Sequence, residues 1–424
     1  MQENYEKLWG GCFTDNIDPK FHDLNASINI DKRMYAEDIE GSVAYAKAIR
    51  LANLLTDEEL ESILNGFKQM KAEWEEGRFI IHIKDEDIHA ANERRLTELI
   101  GDVAKKLHIG RSRNDQTITD TKLWLRKAID VLLKKLMKFI QVLVDRAENE
   151  IEIIMPGYTH MQRAQPIKWS QWLLSYAWYA KADIERLQEI RKRVNILPLG
   201  SGAIAGNPFQ IDRRILANEL DFSEITENSM YAIGDRDFVG SSLMPQKRNP
   251  DCMELIRGKA GTLLGKCMGF MTTLKGIPST YNKDLQEDKE AIFSTFDILD
   301  SILVIATNAI NTLEVKNKKC EKALTSTMLA TDMVYYLVRK GISFREAHYL
   351  TGKAVALSES LEVSLCKLSL KKLHSISTKF QKDVKEIWNF SHSIEQYKVT
   401  GGTSTTALIE QINKLRTSLI NNSI

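Results

Sequence analysis

Proline is scarce in this sequence, and its few occurrences are unevenly spaced. Only 8 prolines occur in 424 residues, and none follows Pro278. Because proline and glycine disfavour helix interiors, stretches that lack both favour long uninterrupted helices. Three such stretches span residues 111–155, 167–197 and 279–340, and apolar residues recur at helical spacing in the first of them. A helix filling most of that stretch would be ~50–60 Å long, which predicts an elongated bundle whose apolar stripes meet other subunits.

Other features are also missing, and each absence excludes a class of protein. The 5 cysteines form no C-x-x-C pair, which argues against a disulfide framework and against a zinc site. Lys and Arg total 58 against 57 Asp and Glu, so nothing favours binding to nucleic acid or to an anionic membrane. No apolar run reaches the ~18 residues of a membrane helix, and none near the start resembles a signal peptide. We therefore expect a cytoplasmic protein.

The helix-breaking prolines and glycines that do occur divide the chain into three predicted helical domains. These are an N-terminal domain at 1–107, a central long-helix bundle at 108–324 and a C-terminal domain at 325–424. Thr56 and Glu59 have the spacing of a capping box, which predicts the start of a helix. Gly401 and Gly402 predict a turn into a last helix. The glycines at 200–206 have the spacing G-x-G-x-x-x-G without a surrounding βαβ unit, so we interpret them as a structural turn.

Two polar segments at the ends of the long helices are candidates for chemistry. Residues 110–116 (GRSRNDQ) place two guanidinium groups and an amide at a helix start, which suits the binding of carboxylates. The alternative interpretation of this segment is a charged capping loop. Residues 156–166 (PGYTHMQRAQP) form a link between two long helices and contain His160. A histidine can act as an acid or a base near neutral pH, although a single loop histidine is more often structural.

Two further segments follow in the second half of the chain. Residues 240–250 (GSSLMPQKRNP) combine a flexible hydroxyl-bearing stretch with Lys247, and Asn249 and Pro250 have the pattern of a helix start. A hydroxyl beside a lysine suits proton abstraction followed by stabilisation of new negative charge, whereas the alternative is an ordinary polar linker. Residues 279–289 (STYNKDLQEDK) are rich in donors and acceptors, with Gln286 and Lys289 on one helical face; a solvated turn is the default interpretation.

Together these segments resemble the fumarase/aspartase superfamily. The segment 240–250 is similar to its G-S-S-x-M-P-x-K-x-N signature, and residues 85–89 (DEDIH), 110–115, 156–166 and 281–289 resemble the argininosuccinate lyase branch in particular. The likeness extends over nearly the whole chain. The δ-crystallins, some of which are inactive, belong to the same family.

The resemblance implies an all-α fold: an elongated central helical bundle of the fumarase/aspartase type with smaller helical N- and C-terminal domains. It also implies a homotetramer that assembles each active site from three subunits and cleaves argininosuccinate to arginine and fumarate without metal or cofactor. Ser241 and His160 would share the proton transfers, with the assignment of base and acid left open, and Glu254 would be the charge partner of His160. Lys247 and Asn249 would stabilise the carbanion intermediate. The implied substrate contacts are Ser27, Asp87, Arg113, Asn114, Thr159, Tyr281, Gln286 and Lys289.

The sequence departs from the family pattern at two places. Cys12 stands where the family has an arginine. More importantly, Val239 runs directly into Gly240, where family members carry about forty more residues, enough for one long bundle helix. Loss of that helix would expose apolar surface and displace the Ser241 loop. Two functions therefore remain open: an active lyase, and a catalytically impaired structural or regulatory copy, such as a crystallin-like protein or a subunit of mixed tetramers.

Overall fold

The computed structural model describes residues 26–159, 161–202, 206–229, 231–233, 251–275, 277 and 283–421. Side chains are described throughout these ranges except at residues 233, 251–255 and 283. The described chain is mostly helical, and the predicted all-α class is confirmed. In chain order the helices are α1 Ile28–Asp31, α2 Tyr35–Leu51, α3 Asp57–Glu75, α4 Ile88–Ile100, α5 Arg113–Asn149, α6 Trp169–Val194, α7 Arg213–Glu219, α8 Asp251–Leu274, α9 Asp288–Thr312, α10 Asn317–Ala323, α11 Ala330–Arg339, α12 Phe344–Ser360, α13 Leu370–His374, α14 Phe390–Glu395 and α15 Thr405–Asn421. No described helix is both long and apolar enough to cross a membrane.

Short 3-10 helices and four strands complete the described elements. The 3-10 helices are Lys32–Met34, Gly101–His108, Tyr231–Ile233, Lys283–Glu287, Ser326–Leu329, Leu365–Lys367 and Lys382–Ile387. Strands β1 (Ile154–Thr159) and β2 (Gln162–Lys168) form an antiparallel hairpin, and β3 (Ile196–Leu197) pairs in parallel with β4 (Glu224–Ile225).

The chain divides into two compact units. One unit comprises Met1–Leu132 and Leu187–Ile302, and the other comprises Leu133–Arg186 and Leu303–Ile424. The three domain boundaries expected from the sequence remain predictions. In the first unit, α3 begins with the expected capping box, because the Thr56 side chain accepts from the backbone N–H of Glu59 and the Glu59 carboxylate accepts in return. This helix buries an apolar stripe against α2 and α4.

The first two breaker-free stretches become the long helices α5 and α6, as expected. The third stretch does not form one helix, because α9 ends at Thr312 without a proline or glycine. Its end is explained by a side chain from the same unit: the Arg146 guanidinium donates to the carbonyls of Ile310 and Leu313 at 2.6 and 2.5 Å. A charged donor of this kind satisfies carbonyls at a helix C-terminus and stabilises the end there.

The link at 156–166 is a β-hairpin, not the loop that the sequence suggested. Pro156 lies opposite Pro166, and the register shifts between Pro156 and Tyr158. A Cβ on Gly157 would lie 2.7 Å from the backbone oxygen of Gln165, so the two strands approach closely only because this residue is glycine. The proline and glycine content that indicated a loop belongs to a bulged two-stranded ribbon.

Candidate functional site

The segment at 110–116 is held as a rigid helix start. The N–H of Ser112 donates to Asp115 Oδ1 at 3.0 Å, and the N–H groups of Gly200 and Gly202 donate to Asp115 Oδ2 at 2.9 and 2.8 Å. Burial raises the pKa of Asp115 to about 6, although these backbone donors pull it down. The contacts fix the first turn of α5, where Arg113 lies, and tie it to the glycine turn that the sequence predicted.

Arg113 faces two carboxylates from the beginning of α4. Its Nε lies 3.5 Å from Asp87 Oδ2, and its Nη2 lies 3.8 Å from Glu93 Oε2. Asp87 also caps α4, because its Oδ1 accepts from the N–H of Ala90 at 2.7 Å. Burial would raise the pKa of Asp87, but the Arg113 guanidinium, His89 and this N–H together hold it below its ordinary value. Asp87 is therefore a carboxylate at neutral pH.

Ser27 and Lys289 belong to the same region of the first unit. The N–H of Ser27 donates to the carbonyl of Glu86 at 2.8 Å, and its hydroxyl donates to Asp31 Oδ2 at 2.6 Å. Burial raises the pKa of Asp31, against the lowering effects of His89, Ser27 and Lys289, so all of these groups act on one carboxyl. Lys289 is itself buried, with its Nζ 3.0 Å from Asp288 Oδ1.

We name Ser27, Asp87, Arg113 and Lys289 the N-terminal corner. It combines a guanidinium and a lysine amino group with a hydroxyl and a carboxylate. A guanidinium and an ammonium are suited to bind a dicarboxylate, while Asp87 is suited to a cationic group on the same ligand. Asn114 lies one residue beyond Arg113 on α5, with its N–H donating to Ser112 Oγ at 3.2 Å. Gln286 is half-buried on the 3-10 helix that leads into α9.

A buried cluster beneath this corner was not predicted from the sequence. His89 Nδ1 lies 2.9 Å from Asp38 Oδ1 and 3.3 Å from Asp120 Oδ2, and its Nε2 lies 3.1 Å from the Thr117 hydroxyl. Asp38 also accepts from Asn92 Nδ2 at 2.7 Å and from Gln116 Nε2 at 2.6 Å. The cluster joins α2, α4 and α5 next to the residues of the N-terminal corner. The sequence contains no local signal for it, because Asp38, His89 and Asp120 are far apart in sequence and the turn before Asp120 carries the polar residues Gln116 and Thr117.

The two aspartates of this cluster differ in protonation: one is ionised and the other is neutral. Burial favours protonation of both, but His89, Arg111 and Asn92 outweigh it at Asp38 and hold its pKa well below the usual range. At Asp120 burial and the neighbouring Asp38 charge raise the pKa far above its usual value. Two adjacent carboxylates in a dry interior cannot both ionise, so Asp38 is ionised and Asp120 carries a proton.

Could this cluster hold a metal ion? The ligand atoms of Asp38, His89 and Asp120 lie within 4.8 Å of one another. Both ring nitrogens of His89 already have partners, and Asp38 accepts from two amides as well. His89 and Asp38 are therefore committed to internal hydrogen bonds, whereas Asp120 Oδ2 is buried without a hydrogen-bond partner among the described residues. The expectation that the reaction needs no metal remains a prediction.

The hairpin of the second unit carries Thr159, the last residue of β1. Burial decreases along the hairpin, from buried Lys168 at the base to exposed Tyr158 and Thr159 at the tip. His160, Ser241, Lys247, Asn249 and Tyr281 lie outside the described residues, and Glu254 lies on α8 with its side chain outside them. Their roles, and those of the described substrate contacts, remain predictions.

Comparisons with known proteins cover almost the whole chain. The lyase family model matches residues 11–239, and the argininosuccinate lyase C-terminal model matches residues 327–395. The chain is 46% identical to a probable argininosuccinate lyase of Schizosaccharomyces pombe, covering 98% of this chain and 99% of that protein. It is 45% identical to the argininosuccinate lyase of Saccharomyces paradoxus, covering 99% of this chain and 100% of that protein. The chain belongs to the argininosuccinate lyase family.

The family relationship also bears on the junction between Val239 and Gly240. The match to the Schizosaccharomyces pombe protein runs over 456 positions, more than the 424 residues of this chain. That relative therefore has residues that this member of the argininosuccinate lyase family lacks. The lyase family model ends its match at residue 239, where the sequence departs from the family pattern.

Solved structures support the fold of the family. EDDS lyase in complex with formate superposes with a TM-score of 0.80 at 21% identity, covering 95% of this chain and 89% of that chain. The 3-carboxy-cis,cis-muconate lactonizing enzyme from Pseudomonas putida superposes with a TM-score of 0.72 at 17% identity, covering 94% and 97%. At these identities the likeness concerns the fold alone.

Proposed function

We propose that this chain cleaves argininosuccinate to arginine and fumarate by β-elimination. The observation that carries the proposal is the identity of about 45% to argininosuccinate lyases over nearly the full length. The N-terminal corner supports it, since argininosuccinate carries carboxylates that Arg113 and Lys289 suit and a guanidinium that Asp87 suits. The reaction belongs to arginine biosynthesis and the urea cycle, and the protein acts as a cytoplasmic homotetramer whose active sites are shared between subunits.

In this mechanism Ser241 and His160 share the proton transfers. A C–H bond beside a carboxylate is weakly acidic, so its cleavage needs a base and strong stabilisation of the carbanion. Lys247 and Asn249 supply that stabilisation, and Glu254 is the charge partner of His160. The residues that contact the substrate are Ser27, Asp87, Arg113, Asn114, Thr159, Tyr281, Gln286 and Lys289. Arg113 is already oriented by Asp87 and Glu93, which reduces the entropy lost when a carboxylate binds.

The deciding experiment measures fumarate release from argininosuccinate by the purified chain. Ser241→Ala and His160→Asn should each remove nearly all turnover, while exposed His348→Asn serves as the matched histidine control. If either variant keeps more than about a tenth of the activity, a loss under ~1.4 kcal/mol of transition-state stabilisation, the residue does not have the proposed role. Preferential hydration of fumarate, or cleavage of adenylosuccinate, would mean that the branch is wrong.

A second candidate function is favoured by the missing residues alone. A chain that lacks a bundle helix leaves apolar surface on the neighbouring helices exposed, which weakens assembly. A catalytically impaired structural or regulatory copy would release no fumarate and would assemble better when mixed with a full-length family member. Sedimentation of the chain alone and in such mixtures separates the two functions, because a homogeneous active tetramer excludes the second.

A further inference from the structure

The hairpin β1–β2 has a feature that its own sequence does not explain: a buried lysine at its base. Lys168 is 3% exposed, and its Nζ donates to Thr405 Oγ1 at 2.5 Å and lies 3.2 Å from Glu395 Oε1. An ammonium is costly to bury unless it is paired and hydrogen-bonded. Burial would raise the pKa of Glu395, but hydrogen bonds from Thr405 and Lys168 hold it below its ordinary value. Glu395 is therefore a carboxylate at neutral pH, with Lys168 opposite it.

Further contacts join the same strand to the same part of the chain. The backbone N–H of Lys168 donates to Thr403 Oγ1 at 3.0 Å, and Gln165 Nε2 donates to the Tyr397 hydroxyl at 2.9 Å. All of these partners lie between residues 395 and 405, within the second unit. We name this segment, from Glu395 to Thr405, the C-terminal clamp.

The clamp has a backbone that only glycine permits. Gly401 has a φ of +82°, and a Cβ on Gly402 would lie 2.1 Å from the carbonyl oxygen of Tyr397. The turn therefore folds closely onto itself, and Thr405 closes it by donating through its N–H and its hydroxyl to Glu395. A segment so constrained can hold a second element at a fixed distance and angle.

We propose that the C-terminal clamp positions the tip of the hairpin, which carries Thr159 and leads into His160. This inference rests on the proposed function, in which both residues act on the substrate. From Lys168 to Gln162 the strand is ~20 Å long at ~3.3 Å per residue, so a tilt of ~3° at the base moves the tip by ~1 Å. A displacement of ~1 Å can lower a reaction rate by ~100-fold.

Two contacts at different positions along strand β2 can fix both its position and its direction. Lys168 fixes the base, and Gln165, three residues nearer the tip, fixes the direction of the strand. Strand β1 also packs against α10, and β2 packs against the 3-10 helix Ser326–Leu329, so the clamp adds directed polar attachments to a ribbon that has other packing neighbours in its unit. Lys168, Gln165 and Tyr397 are positioning residues; none of them is assigned a contact with substrate.

The test compares Tyr397→Phe with Tyr179→Phe, an exposed tyrosine on α6 in the same unit. Both changes remove one hydroxyl and keep the ring, but only the first removes the partner of Gln165. Hydrogen exchange of peptides from residues 154–168 should accelerate on the order of ten-fold in Tyr397→Phe, with a global melting temperature close to that of Tyr179→Phe. The value of kcat should fall on the order of ten-fold while KM changes less than about two-fold, because the reacting geometry at His160 is lost whereas most proposed substrate contacts, such as Arg113 and Lys289, lie outside the hairpin.

A second pair of variants acts at the base of the hairpin. Lys168→Met should loosen the hairpin more than Tyr397→Phe does, and Lys168→Arg should restore part of the protection because it keeps the charge opposite Glu395. If Lys168→Met fails to fold, the comparison of Tyr397→Phe with Tyr179→Phe alone tests the positioning role. Rescue by arginine distinguishes a positioning role from a general loss of packing.

The outcomes separate this inference from the proposed function. If the unaltered chain releases no fumarate, the proposed function fails. The clamp is then tested by hydrogen exchange and by NMR titration of the His160 ring. Both should change in Tyr397→Phe and not in Tyr179→Phe. Exchange in Tyr397→Phe equal to that in Tyr179→Phe overturns the clamp. Faster exchange with an unchanged kcat in an active protein overturns its positioning role.

Discussion

The N-terminal corner and the hairpin β1–β2 both carry proposed substrate contacts, but they are held in different ways. Arg113 and Asp87 lie on the first turns of two helices whose ends are fixed by local caps and by a buried cluster immediately beneath them. Thr159 lies at the exposed tip of a ribbon that packs against α10 and the 3-10 helix Ser326–Leu329 and is hydrogen-bonded to a turn more than two hundred residues away in sequence. The corner is stabilised by desolvated charges, and the hairpin is stabilised by its backbone pairing, by this packing and by the clamp.

The two regions should therefore tolerate different substitutions. In a buried charge cluster the cost of removing one partner is the charge left unpaired, which is large. In a two-stranded ribbon the cost of a change is a local rearrangement that leaves the rest of the unit folded. A disruptive substitution in the corner should therefore lower the stability of the whole unit. One in the hairpin should loosen only the hairpin.

Asp38→Asn should produce the largest loss of stability. Asp38 accepts from His89, Asn92 and Gln116, and an asparagine would turn an amide donor toward other donors while removing the negative charge. Breaking a buried pair in this way costs about 3–5 kcal/mol of unfolding free energy. Denaturant unfolding measures it, with Asp57→Asn as a surface control that should lose far less stability, because its carboxylate is 77% exposed. A loss under ~1 kcal/mol for Asp38→Asn would show that the cluster does not hold the corner.

Gly157→Ala should have an intermediate effect confined to the hairpin. The added Cβ would meet the backbone oxygen of Gln165 at 2.7 Å, so the strands must separate at the bulge. Overpacking of this kind costs about 1–3 kcal/mol. The matched control is Gly352→Ala in α12, where a Cβ meets nothing within 4 Å and where alanine should add up to ~1 kcal/mol of helix stability.

Hydrogen exchange decides whether that effect is local. Peptides from residues 154–168 should lose protection in Gly157→Ala, while peptides from α4 and the first turns of α5 should exchange as in the unaltered protein. Equal loss of protection in both regions would mean that hairpin and corner fail together, which contradicts the comparison.

The sequence predicts the corner much better than the hairpin, for a physical reason. A helix start is determined by residues three or four positions apart, so the capping box at Thr56 and the beginning of α5 at Arg113 are visible in a short window. The family resemblance adds Ser27, Asp87 and Lys289, which the structure brings together in one unit.

The hairpin and the buried cluster depend on distant partners that no short window contains. The pairing of β1 with β2 is bulged at Gly157, so its proline- and glycine-rich sequence indicated a loop. Lys168 gives no local signal that it will be buried, because its partners Glu395 and Thr405 come from the other end of the chain. In the same way, the end of α9 at Thr312 follows from Arg146, a residue of another helix.

Asp120→Asn should cost the least, although Asp120 lies in the same cluster as Asp38 and is as deeply buried. Its raised pKa means that the folded protein holds Asp120 protonated, and an asparagine copies the shape and neutrality of that form. The loss of unfolding free energy should stay within about 1 kcal/mol near pH 4, measured beside Asp183→Asn, whose side chain is 57% exposed.

The stabilities of the Asp120→Asn and Asp38→Asn variants should depend on pH in opposite directions. For Asp120, whose pKa is raised on folding, the stabilising contribution is complete below the ordinary value of 3.8 and is lost as the pH rises through the folded value. Asparagine cannot ionise in the unfolded chain. Relative to the unaltered protein, the unfolding free energy of Asp120→Asn should therefore rise by about 1.4 kcal/mol per pH unit above pH 4, until the pH passes the pKa of Asp120 in the folded protein. Asp38 has a lowered pKa, so its contribution is present above 3.8 and is lost in acid, and Asp38→Asn should approach the unaltered protein only as the pH falls. Denaturant unfolding from about pH 2 to pH 8 measures both variants, and parallel profiles for the two would show that the proton is not held by Asp120.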